Sequence, residues 1–128
     1  SYVIDLMRER RAERIGSATD FLRKHLSTKL RMPLFVLCEL QLGVERSGES
    51  ELERHALQSL CEYVDPVFPE VGFSLIYAQL VASLLSHGTP VPAMDALVAA
   101  TALQHAEPLV TRDVEHFSRV DGLVVLSY

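Results

Sequence analysis

An α/β domain, with a parallel β-sheet flanked by helices on both faces, is the fold class the sequence predicts for residues 1–128. Three observations point to it. Short apolar runs alternate with longer segments of helical spacing, the order that a parallel sheet with helical crossovers requires. The runs are apolar at successive positions rather than at every second one, as in strands buried on both faces. The chain has 128 residues, 48% hydrophobic and 23% charged, which matches one domain with one core.

The elements follow in order. Tyr2-Val3-Ile4 is a short β-prone run and reads as a buried strand. From Leu6 to about Lys29 the pattern is helical and polar, with a break near Gly16-Ser17. There Ser17 and Asp20 stand three apart, close to a capping box. Met32 to Leu37 is the second apolar run and the second expected strand. Glu39 to Arg46 turns helical, and Glu49 to Cys61 is a further helix with Leu52, Ala56, Leu57 and Leu60 on one face. Pro66 and Pro69 limit the run from Tyr63 to Phe68 to a short edge strand. A long apolar helix runs from about Gly72 to Ser86 and is closed by His87-Gly88. After the stiff linker Thr89 to Pro92, the helix from Asp95 to about His105 is so apolar that only burial suits it. Pro108 to Thr111 is strand-like, and Leu123 to Leu126 is a last strand after an Asp121-Gly122 turn.

Several function classes drop out. Cys38 and Cys61 are too few and too far apart for a disulfide framework or a zinc site, and no H-E-x-x-H spacing occurs. No nucleotide-binding glycine loop is present. No apolar run reaches the roughly 18–20 residues of a membrane span, and no basic-then-apolar leader appears, so a cytoplasmic protein is expected. The net charge of −5 conceals an asymmetry. Residues 1–31 hold eight of the twelve basic residues against four acids, while the remainder is strongly acidic. Such segregation suits either a polyanion-binding face or a pair of solvated basic helices.

The candidate chemistry lies in four acids. Asp5, Glu39 and Asp113 each fall within two residues of an expected strand end, the side of an open α/β sheet where functional crevices form. Asp95, at the amino end of the buried helix, completes the group. Singly, Asp5 and Asp95 read as helix caps, Glu39 as a first-turn acid and Asp113 as a turn residue. Brought together, four carboxylates repel one another unless a cation compensates them. A hard ion, Mg²⁺ or Mn²⁺, suits an all-oxygen set and activates water for phosphodiester hydrolysis.

At these residues the chain resembles the PIN-domain family, and within it the VapC-type toxins of toxin–antitoxin pairs. The matching pieces are Y-V-I-D (Tyr2 to Asp5), L-C-E-L-Q-L-G-V-E-R-S (Leu37 to Ser47), M-D-A-L-V-A-A-T-A-L (Met94 to Leu103) and the block from Pro108 to Leu126. The resemblance implies a PIN-like sheet, a metal-dependent endoribonuclease acting on tRNA or rRNA, a VapB-like antitoxin partner and a homodimer. By motif, Asp5, Glu39 and Asp95 are implied as metal ligands, and Asp113 stands where the family has Asp or Asn. Arg8, Arg10 and Arg11, just after Asp5, are placed to track an RNA backbone, and Arg112 reads either as a phosphate contact or as half of a surface ion pair. The chain departs from the family pattern twice. Leu6-Met7 follows the first acid where a hydroxyl residue is usual, and His116 stands where another Asp is frequent. The first departure supports an alternative, a PIN-fold module that binds RNA or antitoxin with weak or no catalysis. A phospho-accepting receiver domain is excluded by the missing second acid beside Asp5 and by the absence of any Lys beyond Lys29.

Overall fold

The computed structural model describes residues 1–128 as two compact units, Ser1–Val67 with Tyr128, and Phe68–Ser127. In the first unit, α1 (Tyr2–Arg11) and α2 (Ser17–Lys24) precede β1 (Arg31–Pro33), α3 (Leu34–Arg46), α4 (Ser50–Cys61) and β2 (Asp65–Val67). In the second, α5 (Phe73–Ser86), α6 (Ala93–Gln104), β3 (Leu109–Val110), α7 (Val114–Phe117) and β4 (Val125–Leu126) follow. The pairing is parallel, as the sequence predicts. It forms two short ladders, with Met32 opposite Pro66 in β1–β2 and Leu109 opposite Val125 in β3–β4.

Two expected strands are corrected. Tyr2-Val3-Ile4 opens helix α1 rather than a strand. Three apolar residues cannot distinguish a period of two from one of 3.6, and the deciding residues come later. Tyr2, Val3, Leu6 and Glu9 form the buried stripe, a helical spacing. The second run, Met32 to Leu37, is a strand only as far as Pro33. Proline has no N–H to give to a ladder and fixes φ, here −56°, so the strand ends and the apolar residues from Leu34 onward wind into α3.

The break at Gly16-Ser17 is where the sequence puts it, yet the capping device differs. The cap residue is Gly16, and neither Ser17 nor Asp20 caps the helix. Glu9, arriving from α1, supplies the acceptors instead. Its Oε1 accepts from the Ala18 amide at 3.1 Å, and its Oε2 accepts from the amides of Gly16 (3.2 Å) and Thr19 (2.8 Å) and from the Thr19 hydroxyl (2.7 Å). Burial would raise the Glu9 carboxyl's pKa. The bonds from Thr19, Ala18 and Gly16 outweigh it, and the net shift is downward. Nearby, the Tyr2 hydroxyl donates to Ala18 O at 3.0 Å. Burial, reinforced by the Glu9 charge, pushes that hydroxyl up to about 12.

The second unit is organised around α6. Ala96, Ala99 and Ala100 pack with Leu80 and Leu84 of α5 and with Phe117 and Val120, while Phe73, Ile76, Leu109 and Val125 flank this core. The alanines remove bulk where the helix is enclosed, and the run Val98 to Ala102 is buried without interruption. A helix enclosed on most sides needs no polar face, so its sequence shows almost no amphipathic pattern. The one buried hydroxyl on it, Thr101, donates to Leu97 O at 2.8 Å. Helix α5 stops where expected: Gly88 takes φ +67°, a left-handed conformation that glycine adopts without penalty.

Candidate metal centre

The arrangement is assembled by two helix starts. Pro92, with φ −54° and ψ 147°, delivers an extended chain to the first turn of α6 and places Asp95 in that turn. Strand β3 then ends at Val110, and Thr111 and Asp113 form the turn into α7. The buried Thr111 accepts the Asp113 amide on Oγ1 at 3.0 Å and gives its own amide to Leu126 O at 2.9 Å, fixing the turn to β4. Asp113 caps α7, with Oδ1 accepting the His116 amide at 3.3 Å. The i, i+3 spacing brings the His116 side chain back onto Asp113, and Nδ1 lies 2.7 Å from Asp113 Oδ2.

Asp95, Asp113 and His116 thereby converge, with one donor atom from each and all three atoms within 4.8 Å of one another. Asp95 and His116 are half-buried and Asp113 is exposed. Burial, then the Asp113 charge beside it, raises the pKa of the Asp95 carboxyl, with the His116 side chain opposing in part. The Nδ1 of His116 is buried and stands at ion-pair distance from Asp113 Oδ2, outside hydrogen-bond geometry. A raised carboxyl, a second acid repelling it and an imidazole nitrogen at ion-pair distance from a carboxylate fit a divalent cation. Opposite ligands around an ion at ~2.1 Å stand ~4.2 Å apart, comparable with this spacing.

The other expected site residues lie in the first unit. Asp5 is not at a strand end: it sits within α1 with its side chain mostly buried. Tyr128 donates its hydroxyl to Asp5 Oδ2 at 2.6 Å, and Arg8 Nη1 stands 3.6 Å from Oδ1. Glu39 is likewise within a helix, α3, and exposed. Asp113 therefore follows the end of a strand, as expected, whereas Asp5 and Glu39 do not, because the chain is helical at both positions. His116 was not among the four acids, although D-x-x-H on a turn of helix carries the signal for a shared face. Arg8, Arg10, Arg11 and Arg112 are all exposed. Arg11 is engaged by Glu53.

The family model for the PIN domain matches residues 1–123. Ribonuclease VapC1 of Rickettsia felis is 34% identical over 96 residues, covering 72% of this chain and 71% of the relative. Ribonuclease VapC of Rickettsia bellii is 30% identical over 96 residues, with the same coverage of both chains. Among solved structures, VapBC2 from Rickettsia felis bound to a promoter DNA fragment superposes with a TM-score of 0.87 at 20% identity, covering 98% of this chain and 92% of that one. DNA-bound VapBC from Salmonella typhimurium gives 0.84 at 19% identity, covering 97% and 90%. At these identities the structures establish the fold. With a family model spanning nearly its whole length and a relative above 30% identity over most of it, this chain belongs to the PIN-domain family.

Proposed function

We propose that this protein is a VapC-type endoribonuclease, the toxin of a toxin–antitoxin pair, which hydrolyses phosphodiester bonds of tRNA or rRNA with the help of Mg²⁺ or Mn²⁺. The observation that carries the reading is the convergence of Asp95, Asp113 and His116 in a chain of PIN-domain sequence. The family match crosses from one compact unit into the other, which supports treating residues 1–128 as one functional domain. A VapB-like antitoxin is the proposed partner and a homodimer the proposed assembly. No helix is long and apolar enough to cross a membrane, and a cytoplasmic site of action suits the proposed RNA targets.

When bound, the divalent ion supplies polarisation of the phosphodiester and activation of water for in-line attack. The protein's part is to hold it and to orient the RNA. Asp95 and Asp113 provide carboxylates whose mutual repulsion favours a cation between them. Asp5 and Glu39 are proposed as metal ligands on the strength of their motifs alone. Of the two, Asp5 has a competitor, since Tyr128 and Arg8 already engage its carboxylate. Arg8, Arg10 and Arg11 on α1, and Arg112 beside Asp113, are proposed to contact phosphates.

The test is cleavage of total tRNA and rRNA by purified protein in Mn²⁺ or Mg²⁺, with EDTA and Asp95→Asn as controls. Metal-dependent cutting that the substitution abolishes supports the reading, and cutting that survives both controls overturns it. The engagement of Asp5 by Tyr128 favours one second reading, a PIN-fold module that binds RNA or antitoxin without cutting. That reading expects no cleavage at any metal concentration from folded, partner-free protein.

A further inference from the structure

His116 changes the chemistry of the donor set. Carboxylates and water suit Mg²⁺ and Mn²⁺ alike, whereas an imidazole nitrogen is chiefly a ligand of transition-metal ions such as Fe²⁺, Ni²⁺ and Zn²⁺. Of the two ions proposed above, the transition metal Mn²⁺ accepts it more readily than Mg²⁺. The His116 Nδ1 is buried and stands 2.7 Å from an oxygen of Asp113, an ion-pair contact outside hydrogen-bond geometry, and Asp95 offers its carboxylate to the same cluster. Neighbouring ligands of an octahedral ion at ~2.1 Å lie ~3.0 Å apart, so a nitrogen and a carboxylate oxygen this close can share one cation. Two local constraints hold the imidazole there. Its own amide is donated to Asp113 Oδ1 at 3.3 Å, and the next residue, Phe117, is buried in the core with Ala96, Ala99 and Leu80.

We propose that His116 is a direct metal ligand, giving the centre a mixed nitrogen–oxygen donor set that selects Mn²⁺ over Mg²⁺. This rests on the metal-dependent reading above and adds to it a residue and a selectivity. A purely structural His116, paired with Asp113 as a surface ion pair, would leave metal choice untouched.

The test uses the full chain and two readouts that do not depend on RNA cleavage. Electron spin-echo spectroscopy of the Mn²⁺-loaded protein detects modulation from a directly coordinated ¹⁴N, and calorimetric titration gives the Kd for Mn²⁺ and for Mg²⁺ separately. The variants are His116→Asp, which restores an all-oxygen set, His116→Gln and Asp95→Asn, each checked for folding by its thermal transition. The expected result is ¹⁴N modulation in the wild type, lost in both His116 variants. The Kd ratio for Mg²⁺ over Mn²⁺ should fall by about tenfold or more in His116→Asp. Mn²⁺ binding that needs Asp95 but shows no ¹⁴N modulation, or a ratio unchanged in His116→Asp, overturns the role of His116 and leaves the nuclease reading standing. No Mn²⁺ binding to the wild type overturns both.

Discussion

In the proposed site Asp95 has two roles that pull in opposite directions. Its carboxyl is raised by burial and by the Asp113 charge, so in the metal-free protein its ionised form is a destabilising element. The sign follows from linkage: as pH rises above the ordinary carboxylate value, the unfolded chain gives up this proton before the folded one does. Stability therefore falls across that window and stays lowered at neutral pH. Asp95→Asn is expected to raise the melting temperature of the metal-free protein at pH 7 while weakening Mn²⁺ binding. That weakening should exceed the ~10–100-fold typical of losing an outer hydrogen-bond partner. Thermal melts with and without Mn²⁺ check both halves, and a variant that melts lower in EDTA would contradict the first. Such a trade of stability for function is common where like charges are gathered for a purpose.

At the scale of elements, the α1–α2 corner depends on one buried side chain. Glu9 receives three amides and a hydroxyl at the start of α2, the donors that a helix N-terminus leaves unsatisfied. Its pKa lies below the ordinary value, so its stabilisation is complete above that value and is lost as pH falls through the folded one. Glu9→Gln is expected to melt lower than the wild type at pH 7, with the gap closing under acid conditions below about pH 4. Parallel melts at the two pH values measure this. Space is equally constrained on the other side: a Cβ at Gly16 would come 2.1 Å from Glu9 Oε1. Because four hydrogen bonds hold that oxygen's carboxylate, it cannot swing away without losing them. Gly16→Ala is expected to cost about 1–3 kcal/mol, the usual range for overpacking, measured by urea titration. Gly48, with nothing within 4 Å of such a Cβ, is the control.

For the whole molecule, the proposed metal binding is linked to folding. A cation that binds only the folded chain stabilises it by about 2.7 kcal/mol at a concentration 100 times its Kd. Mn²⁺ should therefore raise the urea midpoint and EDTA should return it, with Asp95→Asn insensitive to both. RNA binding should weaken steeply with salt, since an acidic protein of net charge −5 must rely on a local basic patch. Within that patch Arg8 and Arg11 already face Asp5 and Glu53, leaving the exposed Arg10 as the most informative position. Arg10→Ala is expected to reduce the slope of log Kobs against log salt by about one, at unchanged Mn²⁺ affinity.

How much of this was legible in the chain differs with the kind of contact. The α/β class, the enclosed α6, the stop at Gly88 and the candidacy of Asp95 and Asp113 all rest on local signals: apolar periodicity, a glycine with positive φ, and acids at element boundaries. These survive folding because the forces that create them act within a few residues. The first strand was misread because Tyr2-Val3-Ile4 is too short to show its period, and the second was overextended because Pro33 ends a ladder that the apolar run alone would continue. Only the tertiary structure decided that Glu9 caps α2 in place of Ser17 and Asp20, that Tyr128 bonds Asp5 across nearly the whole sequence, and that His116 joins Asp95 and Asp113. A polar side chain carries no local mark of a distant partner. Its partner is chosen when the apolar faces around it pack and leave it one place to satisfy its charge or hydrogen bonds.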